Sequence, residues 1–251
     1  MTILDKLNEY PIKGKGNTAI VYQINKKKVI KVFNEGYSMS GVKREYNNSL
    51  IINEMPFLKP KALEFIDDGV QIGIIYEAIE GETLLENLFR TNDLKKCATE
   101  LAKLHKQIIS QVTDDAPDYK TFLRNQIINQ ETEISAEKKV ILKKLDKLPT
   151  GNNLCHGDFH PGNIIVNKQG LYVIDFMNIV KGNYLYDIAR TLYLIQYSKV
   201  PGVQTSEELL IIKKTMADLY LKEMNVNREQ IKDYLEIIKE ARKIECPYEF
   251  I

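Results

Sequence analysis

Asp158 and Asn163 stand five residues apart in the run HGDFHPGN (His156 to Asn163), and Asp175 follows Asn163 by twelve residues in VIDF. By type and spacing these are the side chains of the 251-residue chain best suited to chemistry. Phosphoryl transfer needs such a set. Its transition state spreads negative charge over oxygens, so the protein supplies positioning, a divalent metal and one carboxylate that takes the acceptor proton. The H-x-D-x-x-x-x-N spacing presents a base and a metal-binding amide from one loop. Asp158 is therefore the candidate base, and Asn163 and Asp175 are the candidate ligands of Mg²⁺.

Two other readings of the loop exist. Asp, Gly, Pro and Asn are ordinary turn formers. A chance turn, however, requires neither the apolar strand IIV (Ile164 to Val166) that follows nor the second strand LYVID, reached through a turn at Asn167 to Gly170 and ending in a carboxylate. The alternating His156, Asp158 and His160 could instead form a transition-metal site. The chain holds only one further histidine, His105, so a zinc centre is short of ligands.

Composition narrows the setting. With 44% hydrophobic and 27% charged residues the chain can bury a substantial core in one large domain or two small lobes. It carries no apolar run of membrane-spanning length and no basic-then-apolar leader, so it reads as soluble and cytoplasmic with no membrane partner. Cys97, Cys155 and Cys246 have no C-x-x-C spacing, which argues against a disulfide framework or a zinc ribbon. Thirty-five basic and 34 acidic residues leave a net charge of +1 with no like-charge block, which argues against nucleic acid as a partner. Oligomeric state has no signature in the sequence.

The elements that must position the loop fall into an α+β order, strand-rich first and helix-rich after a seam near Gly81. Strands are predicted at Ala19 to Ile24, Lys28 to Phe33, Ala62 to Ile66 and Val70 to Ile79, with a helix at Gly41 to Asn53 between the second and third. From Asp93 to Ser110 apolar residues recur at three and four, marking a helix with one buried face that includes Cys97; His105 lies beside that stripe as a packed helix residue. Further helices are predicted near Tyr119 to Gln130, Ala136 to Leu148, Tyr184 to Tyr197, Ser206 to Met224 and Arg228 to Lys243.

GKGNTAIVYQI, from Gly14, sets G-x-G before a strand and not a helix, which separates it from a dinucleotide fold, and no P-loop sequence occurs. Gly14, Gly16 and Asn17 are candidate phosphate-loop residues, although a hairpin turn would use glycine too. Lys31 is a lone cation in VIKVF, with a solvated edge lysine as the plain alternative. Glu45, fourteen residues on in a helical segment, is the candidate partner that would hold it as a strand–helix ion pair; Glu54 is the second choice.

Together the glycine loop GKGNTA, Lys31, Glu45, YEAIEG, HGDFHPGN, IDF at Ile174 to Phe176, and YDIAR at Tyr186 to Arg190 resemble the aminoglycoside phosphotransferase and choline kinase superfamily, the small-molecule branch of the protein-kinase-like fold. The resemblance covers nearly the whole chain. It implies a two-lobe fold: a nucleotide-binding lobe over residues 1–78, an antiparallel sheet with one helix, and a mainly helical lobe over 79–251 with the catalytic loop and acceptor pocket. It implies ATP or GTP as co-substrate with Mg²⁺, a purine edge held by the backbone of Glu77 and Ile79, and Tyr76 behind the base. Asp187 would brace the catalytic loop, and His156 would be a structural loop residue.

The chain departs from protein kinases where Ala19 replaces a third loop glycine and Met177 the glycine of D-F-G. Only eleven residues separate Asp175 from Asp187, leaving no room for the activation segment on which a peptide lies. The expected acceptor is therefore a hydroxyl of a small molecule: aminoglycoside-like, an amino alcohol or a sugar. Ile79 to Ile251 carries 24 basic and 25 acidic residues, so no gross acidic bias marks a polycation pocket. Asp114, Asp115 and Asp118, and Glu131, Glu133 and Glu137, read as solvated charge; Tyr184, Tyr186, Tyr193 and Tyr197 read as a helical stripe sooner than a cage for a quaternary amine. From a different class, a nucleotide-binding pseudokinase acting as a regulatory module would share these motifs but commonly loses one of them.

Overall fold

The computed structural model describes residues 3–128, 133–200 and 203–247. The chain divides into two compact units, Met1–Thr83 with Ile164–Asn178, and Leu84–Asn163 with Ile179–Ile251.

The first unit is built on a five-stranded antiparallel sheet of order β1-β2-β3-β5-β4, with β1 Ile12–Lys15, β2 Ala19–Asn25, β3 Lys28–Phe33, β4 Ala62–Asp67 and β5 Ile72–Glu77. Helix α1, Met39–Asn53, lies between β3 and β4 in sequence and is capped by Ser38, whose Oγ accepts from the Gly41 amide at 3.1 Å. Side chains of a strand alternate between its two faces. Ile30 and Val32 of β3 accordingly pack with Ile75 against Leu4 and Leu7 of a short 3-10 helix, Leu4–Glu9. Val29 and Phe33 face the other way, into a core shared with Val42 of α1, Ile74 and Tyr76. Lys31 lies between Val29 and Phe33 in the alternation, and that parity aims it at α1.

Three further strands, β6 Glu82–Thr83, β8 Ile164–Asn167 and β9 Gly170–Val173, form a sheet of order β6-β8-β9. Gly81 enters it at φ 152°, and a Cβ there would come within 2.3 Å of the Val166 carbonyl oxygen, so only glycine fits. These pairings carry the first unit on to Thr83 and bring Ile164–Asn178 into it, where the sequence placed its division after residue 78.

The second unit is helical: α2 Leu84–Thr91, α3 Leu94–Ile109, α4 Tyr119–Ile128, α5 Ala136–Lys147, α6 Tyr184–Gln196, α7 Glu207–Met224 and α8 Lys232–Glu245. A two-stranded antiparallel ribbon joins β7 Asn153–Cys155 to β10 Val180–Gly182. The run HGDFHPGN begins where β7 ends. Cys97 and Cys155 are buried, and all three cysteines are free thiols. Among the described residues no helix is long and apolar enough to cross a membrane.

The differences from the sequence reading are local. The strand predicted over Val70 to Ile79 runs over Ile72–Glu77; it starts later because Asp67 and Asp68 accept hydrogen bonds from the amides of Gly69, Val70 and Gln71, folding that segment into a turn. The helix predicted from Arg228 starts as a 3-10 turn, Glu229–Ile231, and becomes α-helical at Lys232. Residues 129 and 130, at the end of the helix predicted over Tyr119 to Gln130, and Glu131 lie outside the described residues. Helix α2 was not predicted, nor were strands β6, β7 and β10, whose two or three residues carry no period to read.

Candidate active site

In the second unit the loop after β7 is held from beneath by α6 and α3. Asp187, in the first turn of α6, is fully buried and accepts the amides of His156 at 2.7 Å and Gly157 at 2.8 Å. His105 Nε2 lies 3.0 Å from the same carboxylate, and its Nδ1 lies 2.5 Å from the Tyr220 hydroxyl of α7. His105 thus bridges the two, donating from Nε2 to the Asp187 carboxylate and meeting the Tyr220 hydroxyl at Nδ1. Burial works to raise the Asp187 pKa, but the hydrogen bonds and the neighbouring imidazoles of His105 and His156 outweigh it and hold the carboxyl below its ordinary value.

One helical turn on, Arg190 is fully buried, and its Nε donates to the Gly157 carbonyl. Its guanidinium is also paired with Glu245 at the end of α8, at 2.7 Å and 3.2 Å. Gly157 has φ 74°, a left-handed conformation that glycine adopts without strain. Asp187 and Arg190 thus grip both sides of the turn that delivers Asp158.

Asp158 is a quarter exposed. Its amide donates to His156 Nδ1 at 3.2 Å. Asn163 Nδ2 donates to the Asp158 carbonyl at 2.9 Å and to Oδ2 at 3.2 Å, which turns the Asn163 amide oxygen away from Asp158. The carboxylate is held at one oxygen and open to solvent, a state suited to accepting a proton.

In the first unit Lys31 Nζ donates to Glu45 Oε1 at 2.7 Å, Glu45 Oε2 at 2.9 Å and Asp175 Oδ1 at 3.1 Å. Burial alone would lower the lysine pKa. The carboxylates of Asp175 and Glu45 outweigh it, so the pKa is raised and the ammonium stays charged. Glu54, the second choice, is exposed at the end of α1; nine residues from Glu45 is half a turn away at 100° per residue. Asp175 has φ 68°, uncommon for a residue with a side chain, although Asp tolerates it better than most.

Gly14 and Gly16 have no positive φ, a Cβ at Gly14 would meet open space, and one at Gly16 would make only ordinary contact with the Ala19 carbonyl oxygen at 3.6 Å. The fold itself therefore asks for glycine at neither position. Asn17 is exposed, and its carbonyl accepts from Asn34 Nδ2 at 2.9 Å. Beyond β5, Glu77 N donates to the Lys61 carbonyl at 3.0 Å and Ala78 N to the Lys27 carbonyl at 2.9 Å, while Ile79 N makes no backbone hydrogen bond among the described residues.

The transition-metal reading does not hold: among the described residues no group of three or more His, Cys, Asp and Glu side chains is arranged to hold a metal ion. Asp118 caps α4 through the amides of Lys120 and Thr121, so it is a structural carboxylate. Tyr186 and Tyr193 are buried while Tyr184 and Tyr197 are exposed, so the four do not form one aromatic cage.

Several supporting residues carried no role in the sequence reading. Asn48 lies one helical turn from Glu45 and donates to the carbonyls of Phe176 at 2.9 Å and Met177 at 3.1 Å, so a single face of α1 holds both Lys31 and the backbone after Asp175. Polar residues on a buried helix face were the available signal. His105, Tyr220, the grip of Arg190 on the loop and Glu245 had none, because their contacts span 33 to 115 residues.

Tyr76, behind the base in the resemblance, donates to Glu45 Oε1 at 3.1 Å and lies 3.1 Å from Ser49 Oγ. Tyr76→Phe leaves a buried carboxylate one donor short. It is expected to lower unfolding free energy by roughly 1.5–3 kcal/mol, the net worth of a hydrogen bond to a charged group, in urea denaturation. An unchanged midpoint would show that the hydroxyl contributes nothing.

Residues 13–205 match the family profile described as the APH phosphotransferase enzyme family. A comparison with curated protein sequences returns no significant match. Among solved structures the chain is similar to a thermostable mutant of aminoglycoside phosphotransferase APH(4)-Ia in a ternary complex with AMP-PNP and hygromycin B, with a TM-score of 0.66 and 14% identity over 97% of this chain and 88% of that one. It is also similar to APH(3'')-Id from Streptomyces rimosus, at 0.62 and 12% over 96% and 99% of the two chains. A third is the amicoumacin kinase hAmiN in complex with AMP-PNP, Ca²⁺ and Ami, at 0.58 and 16% over 95% and 82%. At these identities the likeness establishes the fold, the protein-kinase-like α+β fold.

Proposed function

The chain belongs to the phosphotransferase enzyme family and is a small-molecule kinase, and on that premise we propose that it moves the γ-phosphate of ATP or GTP to a hydroxyl of a small molecule with Asp158 as base. The observation that carries the proposal is the state of Asp158, fixed through its amide and one carboxylate oxygen and open at its end. Asp158 accepts the hydroxyl proton as the acceptor oxygen bonds to phosphorus; the bond to the β-phosphate oxygen breaks, and its electron pair leaves with the nucleoside diphosphate.

Asn163 and Asp175 are the proposed Mg²⁺ ligands. Their donor set fits: a carboxylate and an amide oxygen are the hard donors this cation takes, and Asn163 is fixed with its nitrogen spent on Asp158. When bound, Mg²⁺ supplies positive charge against the phosphate oxygens. Lys31, kept charged and oriented by Glu45, neutralises the phosphates from the protein side.

Gly14, Gly16 and Asn17 would let backbone amides approach the phosphates; glycines that the fold does not require are consistent with a ligand that does. Glu77 and Ile79 would hold the purine edge with their backbone, for which the unengaged Ile79 amide is suited. The proposed lobes are a nucleotide-binding one over residues 1–78 and an acceptor-binding one over 79–251, in a cytoplasmic setting where nucleotide and Mg²⁺ are at hand.

For the acceptor we propose a hydroxyl of an aminoglycoside-like compound, an amino alcohol or a sugar, the first favoured because two of the similar structures are aminoglycoside phosphotransferases. ADP and GDP release with Mg²⁺, screened over pooled aminoglycosides, amino alcohols and sugars, tests this. Turnover with one pool that disappears in Asp158→Asn supports the proposal; equal turnover in that variant contradicts it.

A further inference from the structure

The proposed function gives no task to His160, yet the loop is shaped around its imidazole. Gly162 N donates to His160 Nδ1 at 3.1 Å. A Cβ at position 162 would meet His160 Cε1 at 2.9 Å and Nδ1 at 3.1 Å, so glycine there is what makes room for the ring. An imidazole that accepts at Nδ1 carries its proton on Nε2. That nitrogen lies 3.9 Å from Asp158 Oδ2, with both side chains about one-quarter to one-third exposed. The separation is too long for a hydrogen bond, and Asp158 Oδ2 is already engaged by Asn163 Nδ2 at 3.2 Å. The loop therefore fixes an N–H donor beside the candidate base without spending it on that base.

We propose that His160 is a catalytic residue whose Nε2–H hydrogen-bonds the phosphoryl group in flight. The inference rests on Asp158 being the base. A hydroxyl that gives its proton to Asp158 sits about 2.6–3.2 Å from the carboxylate. The phosphorus under attack is roughly 3–3.5 Å from that hydroxyl oxygen at the outset. A donor 3.9 Å from the same carboxylate is within reach of the phosphoryl oxygens. Those oxygens gather charge as the new bond forms to the acceptor oxygen and the old bond to the β-phosphate oxygen breaks. His160 transfers no proton in this step. It offers a fixed dipole where charge develops, the arrangement that lowers a barrier without reorganisation.

The test uses the whole chain with Mg-ATP, reading ADP release both to water and to pooled hydroxyl acceptors, in wild type, His160→Ala, His160→Gln and Asp158→Asn. His160→Ala is expected to lower kcat by about 10²- to 10³-fold with KM for ATP unchanged, because the donor acts in the transition state and not on bound nucleotide. His160→Gln, whose amide N–H has a comparable reach, should recover part of the loss. The inference is overturned if His160→Ala turns over like wild type while Asp158→Asn is dead, an outcome that leaves the base assignment standing. It is also overturned if the loss comes with a raised KM or a lowered melting temperature and glutamine restores nothing, since His160 would then only brace the loop. A fully active Asp158→Asn removes the proposed function and this inference together.

Discussion

Asp158→Ala is expected to abolish turnover while leaving Mg-nucleotide binding intact. The loss should be at least about 10²- to 10⁴-fold in kcat, the range a positioned base contributes. The substitution removes the proton acceptor and one of the two bonds made by the Asn163 amide, but not the bond from Asn163 Nδ2 to the Asp158 backbone carbonyl. It also leaves Lys31, the proposed phosphate contact, and Glu45, which holds it, untouched. Steady-state kinetics beside calorimetric binding of Mg-AMP-PNP separate the two quantities. If kcat is retained, Asp158 is not the base; if binding is lost together with kcat, the loop has collapsed and the variant reports on structure alone.

The second large effect is on stability. Asp187→Ala takes the acceptor from the amides of His156 and Gly157 and from His105 in a fully buried position. Unpaired buried donors of this kind cost roughly 3–5 kcal/mol when a charged partner is removed. Since a domain commonly has only about 5–15 kcal/mol in total, the urea midpoint should fall sharply, or the variant should fail to accumulate folded. Asp187→Asn, which keeps the volume and one acceptor oxygen, covers the latter case and should lose less. A change below about 1 kcal/mol in both would contradict the network, given the net worth of even one hydrogen bond.

The network also has an acid signature. The Asp187 carboxyl is held below its ordinary value in the folded state. Its contribution is therefore complete above about pH 4, near the unfolded carboxyl value, and is lost as pH falls through the folded-state value. Below about pH 4 the wild type should lose stability more steeply than Asp187→Asn. Parallel acid curves would show that the carboxylate carries no such linkage.

What the sequence disclosed was local or periodic. The H-x-D-x-x-x-x-N spacing needs only a turn to bring Asn163 onto Asp158, so the contact follows from eight consecutive residues. Lys31 and Glu45 are fourteen residues apart, and the sequence kept Glu54 as a second choice; in the structure Lys31 shares a face with Val29 and Phe33, and Glu54 is half a turn out of phase. The first turn of α6 was readable because YDIAR opens an apolar helix.

What remained hidden depends on packing between distant segments. Nothing near Glu245 indicates that it closes on Arg190, 55 residues earlier, and His105 on its stripe gives no sign of Tyr220 or Asp187. Gly162 looked like a turn residue, whereas its value lies in the space it leaves for His160. The short pairings of β6 with β8 and β7 with β10 were invisible for the same reason. Each strand is too short to show alternation, and the pairing is set by the segments around it.

The measurement that bears most directly on the central claim follows the γ-phosphate itself. ATP or GTP labelled at the γ-position is incubated with the protein, Mg²⁺ and pooled hydroxyl compounds, and the label is separated into nucleotide, inorganic phosphate, protein and phosphorylated small molecule. Transfer catalysed through Asp158 predicts label in a small-molecule phosphate ester, absent when Asp158→Asn replaces wild type. Label that stays in tightly bound nucleotide under every pool would contradict the account and make the chain a nucleotide-binding module, and label on protein would make it a peptide-directed kinase.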